Sequence, residues 1–169
     1  SLPRIAVRDE VARLRDVQQS VAFLCPTLSD RLSALVDRVA AALAEHRAKR
    51  CTLHGDFYED QILLSEDQVV LLDLDRASRG DPAVDLGNFL GHLERDVASG
   101  LVCRTHATEA AAQLPEGYQR TSSATVPGVR VHTAVALLRL CTEPFRDRQP
   151  DWPERIETLI DAAEQQLLS

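Results

Sequence analysis

Apolar residues recur along the chain with two periods. Over residues 8–19, Val11, Leu14 and Val17 are separated by polar and charged positions, the spacing of one helical face. Cys25-Pro26 closes that pattern, because a residue before proline is pushed out of the helical region. Ser29 or Asp30 can cap a second helix, whose stripe is Leu32, Leu35, Val36, Val39 and Leu43 and which is predicted to run to about residue 48. The period then changes. Cys51-Thr52-Leu53 is a short apolar lead-in, and residues 61–64 and 69–72 are brief strand-like runs joined by the turn sequence Ser65-Glu66-Asp67-Gln68.

Residues 76–82 read as loop. A helix opens near Ala83 and turns Leu86, Phe89, Leu90 and Leu93 inward. Gly87 and Gly91, four apart on that helix, predict close packing rather than a phosphate loop, since no strand-to-helix junction precedes them. Residues 104–113 are alanine-rich and helical, and Leu114-Pro115-Glu116-Gly117 breaks the pattern. Residues 121–128 form a polar loop, and 129–140 are apolar enough for a central core helix. Asp151 with Glu154 predicts a capping box for a last helix that buries Ile156, Leu159, Ile160 and Ala163. The expected fold is mainly α with a small β-hairpin (α+β), one domain over residues 1–169, with the chemistry in 51–86.

Composition narrows the class. The net charge of −7 argues against nucleic acid or an anionic membrane as partner and is compatible with a cationic substrate or a bound metal. Cys25, Cys51, Cys103 and Cys141 show no Cys-x-x-Cys spacing and are expected to be reduced core residues. No apolar run approaches a membrane span and no signal peptide opens the chain, so a cytoplasmic location is expected. The chain begins at Ser1 and contains no methionine, so it is expected to be a fragment or to have lost its start.

The chemistry concentrates in His54-Gly55-Asp56-Phe57-Tyr58-Glu59-Asp60-Gln61 and the run ending at Asp73. Phosphoryl transfer needs a group that orients or deprotonates the attacking hydroxyl, and oxygens that hold Mg²⁺ against the phosphates. A loop followed by a hairpin can bring its first acid and the two residues flanking the ribbon to one end. Asp56 is the candidate base, and Gln61 and Asp73 the candidate metal and cofactor ligands. Gly55 permits a tight turn, and His54 is expected to hold the loop. Asp81 and Asp85 are expected to support the site, through a turn and the first turn of a helix. Glu59, Asp60, Glu94 and Asp96 could face a cationic substrate. The Leu71-to-Asp75 run also resembles the Asp-x-Asp strand of a metal-dependent phosphatase, but no lysine follows it.

These motifs together resemble the C-terminal lobe of the aminoglycoside phosphotransferase and choline kinase family, within the protein-kinase-like fold. The resemblance rests on His54-Gly55-Asp56, Leu72-Asp73-Leu74 and Gly80-Asp81-Pro82-Ala83-Val84-Asp85-Leu86, and covers most of the chain from about residue 28. It implies a kinase with Asp56 as catalytic base, Asp73 as magnesium ligand, Asp81 and Asp85 bracing the site, ATP or GTP as donor and a small hydroxyl-bearing acceptor. Gln61 stands where the family usually has Asn, one methylene farther out. The family's N-terminal lobe carries a glycine loop and a strand lysine. No glycine precedes Gly55 here and the only lysine is Lys49, so that lobe is expected to be missing from these residues. A non-catalytic binding module or pseudokinase is the alternative expectation.

Overall fold

The structure, a computed structural model, describes residues 2–46, 50–122 and 125–168. The described elements are α1 (Val7–Leu24), α2 (Ser29–Glu45), β1 (Cys51–Leu53), β2 (Ile62–Leu64), β3 (Val69–Leu71), β4 (Ser78–Gly80), α3 (Ala83–Ala98), α4 (Arg104–Ser122), α5 (Val129–Leu140), α6 (Glu143–Arg146) and α7 (Trp152–Leu167). The expected helix-with-hairpin architecture is present, with one addition. β1 pairs antiparallel with β4, and β2 with β3, giving two separate two-stranded sheets.

α5 is the centre of the molecule. Every residue from His132 to Leu138 is buried, so it packs on all sides, as a helix without a polar face must. α1, α2 and α7 contribute their stripes to the same core: Leu14 and Val21, Leu32 to Leu43, Ile156 and Ile160. Truncating a fully buried leucine of this cluster such as Leu137 to alanine costs about 2–5 kcal/mol. α3 lies against α5 at close range. A Cβ on Gly87 would stand 2.5 Å from the His132 carbonyl carbon, and one on Gly91 2.5 Å from the Ala136 Cβ. The expected close-packing role of both glycines is met.

Several local expectations change. α1 continues to Leu24 before Cys25-Pro26 stops it. α2 starts at Ser29 after a 3₁₀ turn over Pro26–Leu28, without a side-chain cap from Ser29 or Asp30. Its predicted extension to residue 48 lies partly outside the described residues. Residues 78–80, expected as loop, are a strand because Leu53 to Cys51 supply partners for Ser78 to Gly80. α4 runs through Pro115 rather than stopping there. A proline removes one N–H, and on a helix that buries only Ala107 its good helix formers carry the backbone across. Asp151 does precede α7, but its carboxylate accepts from the Arg155 guanidinium at 2.7 Å instead of closing a capping box. All four cysteines are free; Cys25 and Cys141 are buried as expected, whereas Cys51 is half-buried and Cys103 exposed.

The β2–β3 ribbon projects from this body. Leu63, Leu64, Val69, Val70 and Leu71 are all exposed, Leu64 at 77%. No described helix is long and apolar enough to cross a membrane.

Candidate active site

Between β1 and β2 the chain makes the turn that carries Asp56. Gly55 takes φ +85°, and a Cβ there would sit 2.1 Å from the Arg76 carbonyl oxygen, so only glycine fits. Two backbone N–H groups fix the turn: those of His54 and Gly55 donate to the two oxygens of Asp85, at 2.7 and 2.9 Å. Asp85 stands in the first turn of α3, as the sequence places it, yet its carboxylate reaches across to the turn at residues 54–56 rather than only meeting its own helix. Burial raises its pKa; the two N–H donors act against that rise, and nearby Asp56 adds to it.

His54 is buried, and its Nε2 lies 2.7 Å from the carbonyl oxygen of Leu72, to which it can donate. It therefore ties the turn to the residue before Asp73. Gln61 ends a 3₁₀ turn over Glu59–Gln61, and its backbone carbonyl accepts from the Leu72 N–H at 2.9 Å. With Ile62 opposite Leu71 in the ribbon, Gln61 lies opposite Leu72, beside Asp73. Its side chain is buried. Asp73 is left-handed, with φ 52° and ψ 66°, which turns the chain sharply out of β3 into Arg76. Arg76 then lies 3.7 Å from the Asp56 carboxylate. Asp56, Gln61 and Asp73 thus sit on three segments linked by His54, Leu72 and Arg76.

Among the described residues no three His, Cys, Asp or Glu side chains converge on one point. A cation here would take a carboxylate from Asp73 and an amide oxygen from Gln61, and the remaining ligands from phosphates and water. That sparse oxygen set suits Mg²⁺, which keeps most of its waters, and not a metal that needs a full protein cage.

Asp81 caps α3 through Ala83 N–H at 2.8 Å, the predicted turn bond, and also meets two imidazoles, His46 at 2.7 Å and His132 at 3.7 Å. Burial would raise its pKa, but His132, the Ala83 N–H and the charge of both imidazoles outweigh that and hold it low. The acids with a possible substrate role are largely engaged. Glu59 and Asp96 share the Arg95 guanidinium at 3.4 and 2.8 Å, and Glu94 meets Arg104 at 2.6 Å. Burial, helped by Asp96, pushes Glu59 up to about 7.

The sequence pattern did not single out Arg76, Asn88, Arg95 or the Tyr58–His92 pair. Asn88 donates from Nδ2 to the Phe57 carbonyl at 3.0 Å and braces the far side of the turn. An amide among the inward positions of α3 was the one available signal. Tyr58 stacks on His92 with ring centroids 4.3 Å apart, and burial lowers His92 to about 4.

Comparison with known proteins gives the family and the fold. Residues 4–124 match the model of the phosphotransferase enzyme family known as APH. Two solved structures of similar fold are a glucosamine kinase in crystal form B (18% identity, 99% of this chain and 47% of that chain, TM-score 0.70) and a glucosamine kinase in complex with glucosamine, ADP and inorganic phosphate (19%, 100% and 46%, TM-score 0.69). This chain spans about half the length of those kinases. No curated protein matches it.

Proposed function

The chain belongs to the phosphotransferase enzyme family, and we propose that it forms the acceptor- and metal-holding part of a small-molecule kinase. The observation that supports this reading is the double hydrogen bond from the His54 and Gly55 N–H groups to Asp85, which fixes the turn leading into Asp56.

In this reading the acceptor is a small molecule with a free hydroxyl. Asp56 accepts the hydroxyl proton as the oxygen attacks the γ-phosphorus of a nucleoside triphosphate, and the diphosphate leaves with the bridging oxygen. Gln61 and Asp73 would hold Mg²⁺, whose part is to neutralise charge on the phosphates. The protein's own contribution is mostly alignment. His54 and Asp85 keep Asp56 from swinging away, and the Arg76 guanidinium lies 3.7 Å from its carboxylate. ATP or GTP is the proposed donor. The exposed apolar ribbon at the Asp73 end supports cover by a nucleotide base and by the N-terminal lobe that the family resemblance implies.

Asp56→Asn is the test, in a protein that also carries the nucleotide-covering lobe. Turnover is expected to fall by at least about 10²-fold with nucleotide binding retained. Near-normal turnover would overturn the reading. Gln61, standing where the family usually has Asn, favours one second reading, a non-catalytic binding module. Under it, Asp56→Asn leaves every measurable property unchanged.

A further inference from the structure

The chain carries a net charge of −7, yet one cavity beside the catalytic turn is strongly basic. It has a volume of about 490 Å³ and is lined by Arg4, Arg13, Arg76 and Arg139, with Ser78 and Asp9. The four guanidinium groups come from four places: the extended segment before α1, α1 itself, the turn after β3, and α5. Gly55 forms part of the wall, so the cavity abuts the turn that carries Asp56.

Two of these charges are already balanced. Arg13 meets the buried Glu10 at 3.1 Å, and Arg76 lies 3.7 Å from Asp56. The lining carboxylate of Asp9 is 3.4 Å from Arg8, outside the lining. Arg4 and Arg139 form no ion pair among the described residues, so two of the four lining arginines carry charge that no carboxylate balances at close range. Ser78, buried in the same wall, has no hydrogen-bond partner for its hydroxyl among the described residues.

We propose that this cavity binds the oxyanion group, phosphate or carboxylate, of a small molecule. Guanidinium forks match planar or tetrahedral oxyanions through paired, charge-assisted hydrogen bonds. A cationic group would meet two unbalanced arginines, and an apolar one would strip water from them. The oxyanion site stands on the cavity and its charge alone. Only its further meaning rests on the kinase reading: an acceptor with its hydroxyl at Asp56 and its anionic group among the arginines is a phosphorylated or carboxylated hydroxy compound.

The test is calorimetric titration of the 169-residue chain, without nucleotide and at low ionic strength, with inorganic phosphate, a hexose phosphate, a hexuronate and glucose. At least one anion is expected to bind saturably, and glucose is not. Arg4→Gln and Arg139→Gln remove charges that hold no partner, so thermal midpoints should stay near that of the parent chain while anion affinity falls at least tenfold. Should the double variant unfold, Arg139→Gln alone is read in its place. Arg79→Gln, on an exposed residue of β4 outside the lining, should bind as the parent does. A hexose phosphate or hexuronate that binds more tightly than inorganic phosphate assigns the site to an organic anion; the reverse order assigns it to free phosphate. Asp73→Asn should leave anion binding unchanged, so loss of the kinase reading would not disturb this one. The proposal is overturned if no anion saturates the chain, or if Arg139→Gln binds like the parent.

Discussion

Asp85 Oδ1 accepts the backbone N–H of Gly55 at 2.9 Å, and together with the His54 N–H on its other oxygen this contact lets a helix set the shape of the turn before Asp56. Hydrogen bonds to a charged acceptor contribute about 1.5–3 kcal/mol. Asp85→Ala is therefore expected to lower unfolding free energy by about 2 kcal/mol or more. Asp85→Asn, which keeps one oxygen and turns an amide toward the other N–H, should lose about half as much. Urea titrations of the three proteins measure this, and equal midpoints for parent and Asp85→Ala would show that the contact does not hold the turn.

Gly55 and Gly117 should respond in opposite directions to the same change. At Gly55 an alanine meets both a positive φ and the Arg76 carbonyl at 2.1 Å, so Gly55→Ala should cost about 2 kcal/mol or more. At Gly117, inside α4, an added Cβ meets nothing within 4 Å. Gly117→Ala should stabilise by about 0.5–1 kcal/mol, the helix-propensity difference. Thermal midpoints of both variants check the pair.

Asp73 is left-handed, a conformation that asparagine tolerates well. Asp73→Asn should leave stability within about 0.5 kcal/mol of the parent, as a substitution that keeps shape does. It should nonetheless abolish the Mg²⁺-dependent part of nucleotide binding. Calorimetry with and without the metal separates the two effects; unchanged metal dependence would remove Asp73 from the ligand set.

Glu59 gives a pH dependence with a definite sign. Its folded pKa is raised to about 7 from 4.5, first by burial and then by Asp96. A raised acid binds more protons folded than unfolded between those values. Its contribution to stability is thus full below about 4.5 and is lost as pH climbs through 7. Relative to the parent, Glu59→Gln should become progressively more stable from pH 5 to pH 8. A stability difference that stays flat across that range would refute the raised pKa of Glu59.

The sequence exposed most of what depends on periodicity. The stripes of α2 and α7, the ribbon and its turn, and the tight approach at Gly87 and Gly91 all follow from spacing along one element. What it hid depends on partners distant in sequence. Ser78-Arg79-Gly80 has no alternating apolar pattern, and only Cys51–Leu53 beside it makes it a strand. Pro115 looked like a break because its cost depends on how little of α4 is buried. At the site, His54 and Asp85 were visible as supports. Arg76, Asn88 and Arg95 were not, since their roles arise only when α3 and the turn after β3 fold against residues 54–61.

The ribbon of β2 and β3 carries a last consequence, for how the chain behaves in a tube. Leucine and valine face solvent on both sides of it, and among the described residues neither edge has a neighbouring strand. Free apolar edges are templates for other copies, so concentration rather than intrinsic fold stability sets how long a solution of this chain stays clear. A lysine at Leu64, the most exposed leucine of the ribbon, would blunt that edge without touching the helical core.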